Sequence, residues 1–232
     1  MKRLFIYLAA AMIALSGCST TKYFLASNYK LDSVESSAAE APVLAAASTY
    51  SDDLIDISLD YGEKSIAIVL SNKSNGSLKV LWDDASYIDQ FGSAHRVIHT
   101  GTKLVDRDKA QVPSVVPKNS KLTDEVIPSD CIEWVSGTKY TAGGWQSHPI
   151  SQMFIYETEE AAKNASVDFK PVQLLLPIET NSERFEYTFK FVSDKTNISS
   201  FSEMDLTKTM LLTGAICGAA LIVEVVALSN MN

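Results

Sequence analysis

His95 and His99 lie four residues apart, a spacing that on a helix brings two imidazoles onto one face within reach of a single metal ion. The residues around them alternate as a strand does, and on a strand four residues separate the rings by about 13 Å at roughly 3.3 Å each. That is too far for one ion without a bulge. His148 precedes Pro149 in a Gly-containing stretch with no cysteine nearby, so the expectation for all three is polar surface or interstrand hydrogen bonding. Asp83, Asp84 and Asp89, and Asp106 with Asp108, carry oxygen atoms suited to a hard cation such as calcium, but neither group has a Gly-turned loop of ligand spacing. They read as solvated loop acids. A two-carboxylate hydrolase is equally unspecified, since 28 acids provide many pairs and spacing singles out none. The chain has no Gly-x-Ser-x-Gly elbow, phosphate loop or dinucleotide fingerprint. Cys131 has no basic neighbour in sequence to lower its pKa, and reads as a buried small apolar residue. The expectation is no catalytic residue, no bound metal, no cofactor and no enzymatic activity.

The aromatic residues carry more information. Trp134, Tyr140 and Trp145 fall in or beside residues 136–147, a Gly-containing stretch with a poor strand pattern. It reads as a long loop at one end of a β-domain. Exposed there, these rings form a recognition patch, because aromatic side chains dominate interface hot spots and loops on a rigid scaffold carry function. The alternative is that the tryptophans plug the end of the core.

The scaffold that positions this loop is legible from period-two patterns. Ile55, Ile57 and Leu59 alternate with Asp56, Ser58 and Asp60, and Ile66, Ile68 and Leu70 repeat the pattern after Tyr61-Gly62. A turn at residues 72–76 leads to Leu78, Val80 and Trp82, then residues 86–88, an Asp89-Gln90-Phe91-Gly92 turn, and residues 95–100. Residues 122–127, 153–156 and 172–176 are further strands, and Phe185, Tyr187, Phe189 and Phe191 make the clearest β run in the chain. A short helix is expected over residues 159–163. Many short strands with Gly, Asn, Asp and Pro breaks predict an antiparallel immunoglobulin-like β-sandwich over residues 52–194, with a barrel as the main alternative.

Charge excludes one class of partner. A formal net charge of −8, and no Lys/Arg run longer than Lys2-Arg3, leave nothing to displace phosphate counterions, so nucleic acid is not an expected partner.

The N-terminus reads as an address. Lys2 and Arg3 precede an apolar stretch over residues 4–15, which ends in Leu15-Ser16-Gly17-Cys18. The apolar stretch is too short to span a bilayer and matches a signal-peptide core. The four residues resemble the lipobox of bacterial lipoproteins, which implies cleavage before Cys18 and acylation of its thiol. On that resemblance residues 1–17 are a signal peptide, membrane lipid is a partner through Cys18, and Ser19 points to the periplasmic face of the outer membrane. Cleavage removes two positive charges and no negative ones, taking the net charge from −8 to −10. Residues 18–51, rich in Ser, Ala and Thr and interrupted by Pro42, read as a flexible tether.

Residues 195–207 read as a linker into a second apolar segment, residues 208–232. Glu224 is its only charge between residues 210 and 228, a stretch long enough at about 1.5 Å per residue to cross a hydrocarbon core. A C-terminal apolar helix inserted in the membrane is the expectation, and a core-packed helix the alternative. Gly214 and Gly218 form a small-xxx-small face through which such helices pair, and Glu224 is the candidate for pairing or lining a pore. The chain thus reads as a non-enzymatic envelope lipoprotein, structural or partner-binding, with other envelope proteins or its own copies as partners. The alternative is an oligomeric pore subunit built on the C-terminal helix.

Overall fold

Alternating apolar residues produce strands throughout the structure, a computed structural model that describes residues 19–37, 41–45, 48–181 and 183–204. In chain order the first strands are β1 (Ser19–Ser36), β2 (Val43–Leu44), β3 (Thr49–Ser51), β4 (Ile55–Tyr61) and β5 (Ile66–Asn72). They are followed by β6 (Leu78–Val80), β7 (Ser86–Ile88), β8 (Ala94–His99), β9 (Ser114–Val116) and β10 (Lys121–Pro128). Then come β11 (Ile132–Val135), β12 (Gly144–Ser147), β13 (Met153–Tyr156), the helix α1 (Glu159–Asn164), β14 (Val172–Thr180) and β15 (Glu183–Met204). The protein is mainly β, and its sheets are antiparallel.

Thirteen strands join in one sheet along the path β13-β1-β15-β14-β7-β8-β10-β5-β4-β3, with β2 on β1, β6 on β14, and β9 on β6. The β11–β12 hairpin is a separate two-stranded sheet. Ile55, Ile57 and Leu59 on β4 and Ile66, Ile68 and Leu70 on β5 are all buried, while the residues between them are exposed or partly so. Burial of each such side chain contributes about 1.5–3 kcal/mol. Tyr50 on β3 meets Tyr187 and Phe189 on β15 with ring centroids 6.1 and 6.5 Å apart. Those strands lie far apart in the sheet order, so the core is closed by distant parts of the sheet packing on each other.

The chain divides into two compact units. One, Ala26–Phe154 with Ser166–Asn197, contains this core. The other includes residues 155–165 and the outer ends of β1 and β15. In it the ring of Phe24 lies 6.5 Å from that of Phe201, and the Thr158 hydroxyl caps α1 by accepting from the Ala161 N–H at 3.2 Å.

Three expectations need correction. The segment read as a tether is β1 over most of its length, and Leu25, Ser27, Tyr29 and Leu31 are its buried face. A polar residue at the second of these positions hides the alternation, and the buried phase then shifts to Val34, where β2 pairs through Ser33↔Leu44 and Val34↔Val43. The segment read as a linker is, to Met204, a continuation of β15; residues 194–201 are exposed, so no apolar alternation marks it. The stretch read as a loop over residues 136–147 contains β12, paired with β11. Cys18, Gly214, Gly218, Glu224 and the expected C-terminal helix lie outside the described residues. Among the described residues no helix is long and apolar enough to cross a membrane.

Asn72 ties the end of β5 to two neighbouring segments. Its buried Nδ2 donates to the carbonyls of Gly76 and Val116, both at 2.8 Å, and its Oδ1 accepts from the Ser74 N–H at 2.8 Å and the Ser74 hydroxyl at 2.7 Å. Asn72→Leu keeps the branched outline, is larger, and leaves those groups without their partner, each costing roughly 1–3 kcal/mol where water cannot reach. Urea unfolding should show a loss of at least that size.

Candidate functional site

A cavity lies beside β8, and the aromatic hairpin follows it in the chain. The cavity, of about 220 Å³, is lined by Tyr87, Asp89, His95, Asp130, Cys131 and Ile150 among others. His95 enters from β8. Its Nε2 lies 3.1 Å from Asp89 Oδ2 and its Nδ1 2.5 Å from Asp130 Oδ2. A ring with a carboxylate at each nitrogen is placed to donate from both, as imidazolium does. Partial burial opposes that charge, but the hydrogen bond to Asp89 and the charge of Asp130 outweigh it and raise the pKa of His95. Burial also opposes charge on Asp89, yet the backbone N–H groups of Ser93 and Phe91 together with His95 hold its carboxyl below the ordinary range.

Cys131 borders the same cavity with a different chemistry. Burial pushes its thiol up to about 11, and the charge of Asp130 adds to the shift. The thiolate is the nucleophile of cysteine chemistry, and His95, committed to two carboxylates, has no free nitrogen to take the thiol proton. Behind Cys131, Tyr61 and Tyr87 share a hydrogen bond at 2.9 Å, and Tyr87 donates to the Ile150 carbonyl at 2.9 Å. Desolvation raises both phenols, so they serve as neutral donors. The cluster is a charge clasp between the β7–β8 turn and the 3-10 turn Ser129–Cys131.

The other polar residues singled out in the sequence are paired elsewhere. His99 Nδ1 lies 3.0 Å from Asp124 Oδ2, and its ring stacks on Trp82 at 4.7 Å and 8°. Asp83 and Asp84 face Arg96 at 2.5 Å and Arg184 at 2.7 Å, and Asp106 faces Lys109 at 2.7 Å. Asp108 lies 3.9 Å from Arg107. Among the described residues no group of three or more His, Cys, Asp or Glu is placed to hold a metal ion.

The hairpin leaves the 3-10 turn directly. Ile132 is its buried foot, and the His148 N–H donates to the Cys131 carbonyl at 2.8 Å to close the base. Trp134 and Trp145 face each other across the strands and meet edge to face, 5.5 Å between centroids at 72°. Arg107 lies over the Trp145 ring at 5.0 Å. Every residue from 133 to 142 is exposed, with Trp134 at 54% and Tyr140 at 86%. The two glycines flanking the tip are required by contact, since a Cβ on Gly137 would meet the Gly143 nitrogen at 2.6 Å and one on Gly143 the Gly137 nitrogen at 2.8 Å. Between them Thr138 and Thr141 share a hydroxyl hydrogen bond at 2.8 Å. The structure therefore brings Trp134 and Trp145 together and sets Tyr140 at the tip of the same hairpin. The partnership of His95 with Asp89 and Asp130 was missed by sequence reasoning; the Asp89 half had a signal in the tight turn that returns the chain six residues on.

Comparison with protein-family models, curated proteins and solved structures returns no match.

The clasp has a pH signature. A raised folded-state pKa means that the His95 contribution is complete below its ordinary 6.5 and is lost as pH rises through the folded value. Asp89 works in the opposite sense: its contribution is complete above its ordinary 3.8 and is lost as pH falls through the lowered folded value. The clasp is therefore strongest from about pH 4 to 6.5. Urea midpoints measured from pH 5 to 9 should fall across the upper part of that range in the wild type. In His95→Gln that decline should be absent.

Proposed function

We propose that this chain is a non-enzymatic lipoprotein of the bacterial cell envelope, anchored through Cys18 at the periplasmic face of the outer membrane, with the β11–β12 hairpin as its contact surface. The observation that carries the contact role is the run of ten exposed residues bearing Trp134 and Tyr140 on a hairpin closed at its base by the His148 N–H to Cys131 carbonyl bond. Single exposed apolar residues are ordinary, but exposed aromatics gathered on one hairpin mark a binding surface, where a partner relieves their contact with water. The anchor rests on the Leu15-Ser16-Gly17-Cys18 motif.

The fold we infer for the unit that bears the hairpin is an immunoglobulin-like sandwich. The aromatic contacts between β3 and β15 support two packed faces, and the run of short antiparallel strands supports the comparison with such domains.

The anchor is tested by metabolic labelling with a palmitate analogue. Wild-type chain should take up label and be processed, whereas Cys18→Ala should do neither. Equal labelling of the two would remove the lipoprotein reading.

A further inference from the structure

The composition around the hairpin indicates what it contacts. Residues 134–156 contain no Asp or Glu, in a chain with 28 of them and a net charge of −8. The cations remain: Lys139 at the tip, its Nζ 5.7 Å from the Tyr140 ring centroid, and Arg107 over Trp145. Of the carboxylates nearest in sequence, Glu133 lies 3.0 Å from His148, Glu157 3.9 Å from Lys22 and Asp106 2.7 Å from Lys109; Asp108 lies 3.9 Å from Arg107 itself. Protein interfaces tend to lose Lys together with Glu and Asp, whereas here only the acids are missing. Trp145 is not an open platform for a sugar ring, since Arg107 lies over it and Trp134 meets it at 72°. Trp and Tyr with flanking cations are the residues that settle at the boundary between lipid headgroups and hydrocarbon. Each cation there is attracted to anionic headgroups.

We propose that the β11–β12 hairpin seats on an anionic lipid surface, with Trp134 and Tyr140 entering the headgroup layer and Lys139 and Arg107 meeting lipid phosphates. This deepens the reading of the hairpin as the contact surface of an anchored envelope protein. It gives the chain a second hold on the bilayer that orients the domain in addition to tethering it.

Three tryptophans make the contact measurable. Trp82 is fully buried and serves as an internal reference, while Trp134 and Trp145 report on the hairpin. Full-length protein is reconstituted into vesicles of phosphatidylcholine and phosphatidylglycerol containing brominated acyl chains, and tryptophan emission is compared with that in unbrominated vesicles. Emission of the wild type should be quenched, and the quenched component should be lost in Trp134→Phe/Trp145→Phe. Lys139→Glu, an exposed tip change that spares the core, should lower quenching on these vesicles. Emission unaffected by bromine, with acrylamide reaching Trp134 equally with and without vesicles, would overturn the lipid contact and leave the hairpin to a protein partner. Palmitate labelling reads the anchor separately, so a labelled chain without quenching rejects this inference alone.

Discussion

The pairing of β14 with β15 governs where everything else lies. Over nine consecutive residue pairs Val172, Leu174, Leu176 and Ile178 stand opposite Phe191, Phe189, Tyr187 and Phe185, and of these eight only Phe185 is not fully buried. A slip of one residue would turn that whole apolar set to the opposite face, so every odd shift of register is excluded. The other edge of β14 carries β7 and then β6, through Gln173↔Ile88 to Leu175↔Ser86 and then Ile178↔Val80 to Thr180↔Leu78. Pro177, which has no N–H to donate, falls at the changeover, and its carbonyl accepts from the Leu81 N–H at 3.0 Å. The position of β7 sets that of the Asp89 turn and, through Ser86↔Arg96 to Ile88↔Ala94, that of His95.

Much of this was legible in the sequence because one face of each strand is buried and the other wet. β4, β5, β14 and the first half of β15 announce themselves through alternating Ile, Leu, Phe and Tyr, and Asp89-Gln90-Phe91-Gly92 is a turn whose Gly92 has a φ of 83°. The illegible parts have physical reasons. β1 buries Ser27, whose hydroxyl lies 2.5 Å from that of Ser193, so its interior face is not uniformly apolar. Trp82, read as the third inward residue of a strand, is buried but sits in a 3-10 turn, where its Nε1 donates to the Ser114 hydroxyl at 2.8 Å. Period-two reasoning places such a ring inside without saying how it gets there. The hairpin was hidden because both of its faces are largely exposed, which removes the contrast on which pattern reading depends.

The site was legible as a set of residues and illegible as an arrangement. Trp134, Tyr140 and Trp145 stood out by type, but only strand pairing shows that Trp134 and Trp145 are opposite each other. His95 stood out by its spacing from His99, and that spacing was misleading: its partners are Asp89 in the preceding turn and Asp130, which is 35 positions along the chain. Charged partners of that separation have no sequence signature, because they are matched by the fold and not by local geometry.

The clasp and the hairpin are mechanically one device. Asp130 belongs to the 3-10 turn Ser129–Cys131, β11 begins at the next residue, and Pro128 pairs with Val97 on the strand that bears His95. The His95 contacts therefore hold the root of the hairpin against the sheet while its tip stands in water. Ordering a surface before it meets a partner removes the entropy cost of ordering it on contact, and large aromatic side chains add contact area with few rotamers to lose. Exposed aromatic rings on a mobile loop would collapse onto the nearest apolar surface. On a short paired hairpin with a fixed root, glycines at its closest approach and Arg107 covering one ring, they have nowhere to fold back to. Held at the root in this way, the exposed rings keep their contact area in place at little cost in side-chain entropy.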